Sequence, residues 1–214
     1  MTTDYEELVR RAKGGEISRE EVDAVATELQ KPDPSASRYT LLYIVGRSFT
    51  TSYRDLVEQF LEYRDDPMLA RLALQILCHF WGDTAQYKRH VLRFLRRVDF
   101  DVENDCRSMA ISVAGEYLRE NPEPEFLGEL IRIYEEPDEP ESSDEDDYQA
   151  SVRRLETELI RYDAYCALAR AVGYDYRDIP SSLGSFDSAE DPRSVLQKSQ
   201  GTAAKRKRVA SELS

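Results

Sequence analysis

The sequence predicts an all-α protein folded as a short right-handed α-solenoid of about four stacked helix pairs. Three observations lead to this prediction. Apolar residues recur with helical spacing along most of the 214 residues. The chain holds only nine glycines and lacks the period-two alternation of β-branched residues that marks strands. A helical segment that opens with an arginine also returns several times along the chain.

Residues 1–31 are expected to form an N-terminal helical hairpin that caps the stack. Helical spacing covers residues 4–12 and 18–30, and two consecutive glycines separate these stretches. Ser18 and Glu21 have the S-x-x-E spacing of a capping box, which marks the start of the second helix. The apolar face predicted for that helix consists of Val22, Val25, Ala26 and Leu29.

The repeats are expected within residues 35–178, where four similar segments begin with an arginine. These segments start at Arg38, Arg71, Arg107 and Arg161, at spacings of 33, 36 and 54 residues. The longest spacing is explained if the last repeat contains an insertion. Helical periodicity in this region predicts helices at residues 51–63, 67–81, 84–97, 102–119, 123–135 and 148–172.

The helix predicted at residues 67–81 is apolar nearly all round but keeps a polar residue at every fourth position. Arg71, Gln75 and His79 form this line. A helix in the middle of a solenoid packs against its own partner and both neighbours, so only a narrow strip meets solvent. These three polar residues are therefore expected to face solvent along one edge of a central helix. The core positions predicted in these repeats are Leu74, Leu77, Ala110 and Val113.

Two of the helix pairs carry an aspartate six residues before the arginine, since Asp65 precedes Arg71 and Asp101 precedes Arg107. Helix pairs with this spacing, followed by spaced Ala and Leu positions, resemble HEAT repeats. The resemblance covers about residues 38–175 and implies that these four residues form a polar ladder shared by stacked repeats. The repeats are shorter than is usual for that family. A tetratricopeptide array is the competing solenoid, but its W-x-x-L-G-x-x-Y pattern is missing.

Most of the formal charge of −13 comes from residues 135–147, which hold nine acidic side chains and no basic one. Without this stretch the formal charge is −4. Such a run is typical of a solvated loop, and in some proteins it docks a basic partner. Residues 179–214 hold few large apolar groups and are expected to form a flexible tail, which includes the basic cluster Lys205 to Arg208.

A basic stripe occupies the helix that precedes the third of the repeated arginine segments. Its members are Lys88, Arg89, Arg93, Arg96 and Arg97. Some HEAT-like proteins, among them the alkylpurine DNA glycosylases, bind DNA through such stripes. Nucleic-acid binding normally requires a basic domain, because affinity grows with the number of phosphates neutralised. This chain stays net negative even without its acidic loop, so a solvated face or a patch for an acidic partner fits the composition better.

No known catalytic motif is visible, and we expect neither a cofactor nor a metal ion. The only histidines are His79 and His90, and His79 directly follows Cys78, so those two side chains diverge on a helix. Cys78, Cys106 and Cys166 are expected to be reduced thiols inside helices. No apolar run is long enough for a membrane span, and the N-terminus lacks a signal-peptide core, so we expect a cytoplasmic protein.

These observations favour a non-catalytic protein-binding module, because stacked helix pairs create an extended concave surface. The acidity of the chain favours a basic partner, as for an inhibitor or immunity protein that masks a basic toxin or enzyme. Candidate members of the concave strip are Gln75, His79, Ser112 and Glu116. A HEAT-like DNA-repair protein, a scaffold or adaptor, and a small enzyme are the alternatives. The sequence leaves the oligomeric state open.

Overall fold

The computed structural model describes residues 3–135 and 147–174 together with Ile179. All regular secondary structure in these residues is helical, and they contain no strand, which confirms the all-α prediction. None of the helices in the described ranges is long and apolar enough to cross a membrane. Most of the predicted acidic loop and nearly all of the predicted C-terminal tail lie outside the described residues.

Nine α-helices are present in the part of the chain that the structure describes. They are α1 (Tyr5–Gly14), α2 (Arg19–Leu29), α3 (Arg38–Arg47), α4 (Arg54–Glu58), α5 (Pro67–Gln75), α6 (Lys88–Leu95), α7 (Asp105–Leu118), α8 (Pro124–Tyr134) and α9 (Asp147–Val172). A short 3₁₀-helix, Thr51–Tyr53, precedes α4, and a π-helix, Ile76–Phe80, directly continues α5. Each α-helix overlaps a segment that the sequence predicts as helical, whereas nothing in the sequence analysis predicts the π-helix.

The starts of the helices follow local capping chemistry. Ser18 Oγ accepts a hydrogen bond from the backbone N–H of Glu21, and the Glu21 carboxylate accepts one from the backbone N–H of Ser18. The predicted capping box is therefore confirmed. Asp66 caps α5 by accepting from the N–H of Met68, and Pro67 occupies the first helical position. The predicted core positions are all buried, namely Val22, Val25, Ala26, Leu29, Leu74, Leu77, Ala110 and Val113.

The helix predicted at residues 51–63 is shorter than expected, because α4 ends at Glu58. Beyond that point the backbone N–H of Phe60 bonds to the carbonyl of Val57, and that of Leu61 bonds to Glu58. These bonds span three residues and tighten the chain into 3₁₀-type turns. Phe60 and Leu61 are both buried in these turns.

The chain divides within α7, between Met109 and Ala110, into two compact units. In the first unit α3 is central, because it packs against α1, α2, α5 and the π-helix. Gly46 of α3 allows the closest approach, since a Cβ added there would lie only 2.3 Å from the side chain of Ile76. The glycine therefore fixes how tightly α3 meets the π-helix.

In the second unit α8 packs against α9. Gly115 of α7 lies against Ala167 of α9, where an added Cβ would be 2.6 Å from the Ala167 Cβ. The rings of Tyr117 and Phe126 meet edge to face, with centroids 5.7 Å apart. The packing between neighbouring helices in each unit is compatible with a helical repeat.

Candidate functional site

The polar line of the predicted central helix begins in α5 and ends in the π-helix. Arg71, Gln75 and His79 are each half-buried, while most residues between them are buried. The π-helix widens the last turn, because the backbone N–H of Trp81 bonds to the carbonyl of Ile76, five residues earlier, at 2.9 Å. His79 therefore lies in a turn of irregular geometry, and π-turns of this kind are frequent at functional sites.

Phe80, next to His79, belongs to an aromatic–arginine cluster, which we define as Tyr43, Arg47, Phe49 and Phe80. The Arg47 guanidinium lies 4.9 Å from the ring centroid of Phe80 and 5.6 Å from that of Phe49. Tyr43 meets Phe80 edge to face, with centroids 6.2 Å apart. Cation–π contacts of this kind hold the guanidinium between the rings. Phe49 as a whole residue nevertheless remains 54% exposed to solvent.

The backbone of Phe49 is strained. Phe49 follows Ser48, the C-cap of α3, and adopts a left-handed conformation with φ of 54°. Glycine is usual at this position, because a residue with a Cβ costs about 1–2 kcal/mol there. The N–H of Phe49 bonds to the Gly46 carbonyl at 3.3 Å, and the same oxygen accepts the indole N–H of Trp81 at 3.0 Å. An exposed ring held at such a cost is typical of a functional position.

Basic side chains border the aromatic–arginine cluster. Lys13 of α1 places its Nζ 5.6 Å from the ring centroid of Tyr43. Arg54 lies 6.0 Å from the Trp81 ring and also pairs with Asp83 at 2.6 Å. Lys13 thus contacts the cluster itself, whereas Arg54 contacts Trp81, the residue after Phe80.

Two predicted members of the concave strip lie in the second unit. Ser112 and Glu116 are both in α7, where Ser112 is half-buried and Glu116 is exposed. The Glu116 carboxylate lies 3.0 Å from the Arg119 guanidinium. Gln75 and His79 belong to the first unit. The assignment of all four residues to one surface stays a prediction.

The residues that resemble a HEAT ladder differ in their surroundings. Asp101 is buried and accepts hydrogen bonds from the backbone N–H groups of Cys106 at 3.1 Å and Arg107 at 3.0 Å. Arg107 is also buried, and its Nε donates to a carbonyl at the end of α6 at 3.2 Å. Asp65 is exposed, and its neighbour Asp66 is the residue that caps α5. A ladder shared between stacked repeats stays a prediction.

The predicted basic stripe lies along α6 and the turn after it, with Lys88 half-buried at its start. Its four arginines line an open groove of about 480 Å³, together with the side chains of Leu92, Val98 and Asp99. We call this surface the arginine groove, defined by Arg89, Arg93, Arg96 and Arg97. At its edges Arg93 pairs with Glu62, and Asp99 pairs with Arg64.

The three cysteines are free thiols, with Cys78 and Cys106 buried and Cys166 half-buried. Burial raises the pKa of Cys78 to about 12 and also raises the pKa of Cys106 and of Cys166. These thiols are therefore protonated at neutral pH, which makes them poor nucleophiles and poor metal ligands. Within the described ranges no group of three or more His, Cys, Asp and Glu side chains could hold a metal ion.

Comparison with known proteins gives no match. No protein-family model fits the chain, and no curated protein or solved structure is significantly similar to it. Two surfaces remain as candidate functional sites, the aromatic–arginine cluster and the arginine groove.

Sequence patterns point to His79 and the arginines of α6 but do not point to the aromatic–arginine cluster. The local sequence from Arg47 to Tyr53, "RSFTTSY", does not mark Phe49 as left-handed, because glycine or asparagine is the usual residue in that conformation. The contact of Arg47 with Phe80 joins residues far apart in the sequence, and no local pattern predicts it.

Proposed function

We propose that this protein is a non-catalytic protein-binding module, built as a HEAT-like α-solenoid, whose partner docks on the aromatic–arginine cluster. The observation that carries the proposal is Phe49, an exposed ring on a left-handed backbone that contacts Arg47 and Phe80. Aromatic residues and arginine are enriched in protein interfaces, where a few such side chains supply most of the binding energy. Because Phe49 already contacts Arg47 and Phe80, its ring loses less conformational entropy when a partner covers it.

The HEAT-like part of the proposal is supported by side chains that connect successive helix pairs in the first unit. Arg54 of α4 binds Asp83, which precedes α6. Arg93 of α6 pairs with Glu62, which follows α4. The other helices of these pairs, α3 and α5, also pack against each other. Contacts between both members of adjacent pairs are expected when helix pairs stack in register.

The proposed partner is basic, because the formal charge of the chain is −13. Opposite charges speed the encounter of two proteins over a distance of about 8 Å at physiological ionic strength. The cluster itself contains Arg47, so the close contacts at Phe49 are proposed to be aromatic and aliphatic, with charge attraction acting at longer range. An inhibitor or immunity protein that masks a basic toxin or enzyme combines these two features, and a scaffold that docks a basic protein is the alternative.

The test is site-specific photocrosslinking in native lysate. A photoreactive phenylalanine derivative replaces Phe49 in one variant and Leu155 in the control, because these side chains are similarly exposed, at 54% and 57%. We expect position 49 to capture a basic protein that position 155 does not capture. With the captured protein purified, Phe49→Ser is expected to weaken binding by at least about tenfold, as for a truncated hot-spot side chain.

The proposal fails if both positions capture the same proteins, since exposure alone would then explain the crosslinks. It also fails if Phe49→Ser binds the captured protein as tightly as the unaltered chain does. Tight binding of duplex DNA that depends on Arg93 would favour the DNA-repair alternative instead. A melting curve of each variant shows whether it is folded before it is compared.

A further inference from the structure

We infer that the arginine groove binds an acidic segment of a partner protein, at residues other than those of the aromatic–arginine cluster. The groove has a volume of about 480 Å³ and is lined by four arginines and one acidic residue. Arg89 and Arg97 are exposed, and neither forms an ion pair with any residue in the described ranges. Among the described residues, these two guanidinium groups thus line one open surface without a carboxylate partner.

The position of Arg97 strengthens the inference. Arg97 directly follows Arg96, the C-cap of α6, and has a left-handed backbone with φ of 71°. Glycine or asparagine is favoured at this position, and arginine is strained there. Its N–H bonds to the carbonyl of Phe94 at 3.1 Å, which closes the turn that carries the side chain into the lining of the groove. Strain accepted for an exposed charged side chain indicates a binding role, because burial does not compensate for it.

The surroundings of the arginine groove favour carboxylates over a phosphate backbone. Glu62 and Asp99 lie at its edges, and each already pairs with an arginine. A nucleic-acid strand carries its negative charges at short regular intervals and would meet these acidic residues as well as the net charge of −13. A short acidic peptide can instead place single carboxylates at Arg89 and Arg97, where the planar guanidinium binds a carboxylate through two hydrogen bonds.

The probe for this inference is fluorescein-labelled decaglutamate, whose binding to the full chain is followed by fluorescence anisotropy at low and at physiological salt. Decaglutamine and a labelled single-stranded decanucleotide serve as reference ligands. The test variant is Arg89→Gln with Arg97→Asn, since asparagine tolerates the left-handed backbone. We expect it to weaken decaglutamate binding by at least about tenfold, because it removes two charge-assisted contacts.

The matched control is Arg19→Gln with Arg119→Gln. Both residues are exposed and lie outside the groove. This variant therefore loses two positive charges, the same number as the groove variant. We expect it to change decaglutamate binding by less than about twofold. If the double variant of the groove melts at a lower temperature than the unaltered chain, Arg89→Gln alone is used, because Arg89 lies on the exposed face of α6 and its loss leaves the turn intact.

Three outcomes would overturn the inference. The first is an equal loss of decaglutamate binding in the groove variant and in the control, which would show that only net charge matters. The second is tighter binding of the decanucleotide than of decaglutamate at physiological salt, which would make the groove a phosphate-binding surface. The third is no binding of decaglutamate by the unaltered chain at low salt. These results leave the proposed role of Phe49 untouched, because they concern another surface.

Discussion

Phe49 and Arg97 occupy equivalent positions in different helix ends. Each follows the C-cap of its helix and has a left-handed backbone, with φ of 54° and 71°. Each also supplies an exposed side chain to one of the two candidate surfaces. At both sites a residue with a Cβ therefore occupies a position where glycine would be less strained.

Replacement of Arg97 by glycine is expected to stabilise the fold by about 1 kcal/mol, because glycine adopts the left-handed backbone without strain. The free energy of unfolding from urea titration measures the effect. Arg89→Gly is the control in the same helix, and it should destabilise by about 1 kcal/mol, since glycine is unfavourable inside a helix. Equal effects of the two changes would show that the conformation of Arg97 carries no strain.

Cys78 makes the stability of the protein sensitive to alkaline pH. Burial raises its pKa from the ordinary 9.0 to about 12. As pH rises, the thiol loses its proton in the unfolded chain before it does so in the folded protein. The contribution of the buried neutral thiol to the free energy of unfolding is therefore complete below pH 9.0 and is lost as pH rises toward 12. We expect the melting temperature of the unaltered protein to fall over this range, and the melting temperature of Cys78→Ala to fall less steeply. Identical pH profiles of the two proteins would exclude Cys78 as the cause.

At the scale of elements, much of the helical architecture is readable from local sequence. The capping box at Ser18 and the buried face of α2 follow from short-range spacing, and the structure confirms both. The early end of α4 does not, because the buried residues Leu56, Val57, Phe60 and Leu61 keep helical spacing through the 3₁₀-type turns. The π-helix after α5 packs closely against Gly46, and that contact joins residues far apart in the sequence. Tertiary packing thus decides what periodicity leaves open.

The close packing of α7 against α9 in the second unit can be tested by a glycine-to-alanine substitution, which adds one methyl group. A Cβ on Gly115 would lie 2.6 Å from the Cβ and 2.8 Å from the Cα of Ala167. Gly115→Ala should therefore destabilise by about 1–3 kcal/mol, because the helices must move apart. For Gly128, inside α8, no atom of the described residues beyond its chain neighbours and its own helix backbone lies within 4 Å of an added Cβ. There the same change should stabilise by about 0.5–1 kcal/mol.

Urea titration measures the free energy of unfolding of both glycine variants, and each value is compared with that of the unaltered chain. A stabilised Gly115→Ala would mean that α7 and α9 are less closely packed than the distances indicate. A destabilised Gly128→Ala would instead point to an unrecognised contact on the exposed face of α8.

At the scale of the whole molecule, composition predicts charge but not its placement. The formal charge of −13 led the sequence analysis to expect a basic partner. The folded first unit nevertheless gathers four arginines around one groove, where the turn at Arg97 adds a charge that the helical pattern of α6 does not place. An acidic protein can therefore still offer a local surface for acidic ligands, because screening limits each charge to its near surroundings.

The two surfaces predict that two kinds of partner respond to different substitutions. Phe49→Ser should weaken the basic protein captured by crosslinking and leave decaglutamate binding unchanged, because no charge is altered. Glu116→Lys should also weaken the basic partner, mainly by slowing its association, with the effect shrinking as salt rises. Arg93→Glu should not weaken that partner, because a basic protein loses no attraction when a positive charge is removed. It should weaken decaglutamate, since Arg93 lines the arginine groove.

Stopped-flow kinetics at two salt concentrations, with both ligands and all three variants, measures this pattern. The decisive comparison is between Phe49→Ser and Arg93→Glu. If each variant weakens only its own ligand, two independent binding surfaces carry the function. If Arg93→Glu weakens the basic partner as strongly as Phe49→Ser does, that partner must extend across the arginine groove, because loss of a positive charge would otherwise favour a basic protein. The groove would then belong to one continuous interface, and the inference of a separate acidic ligand would fall.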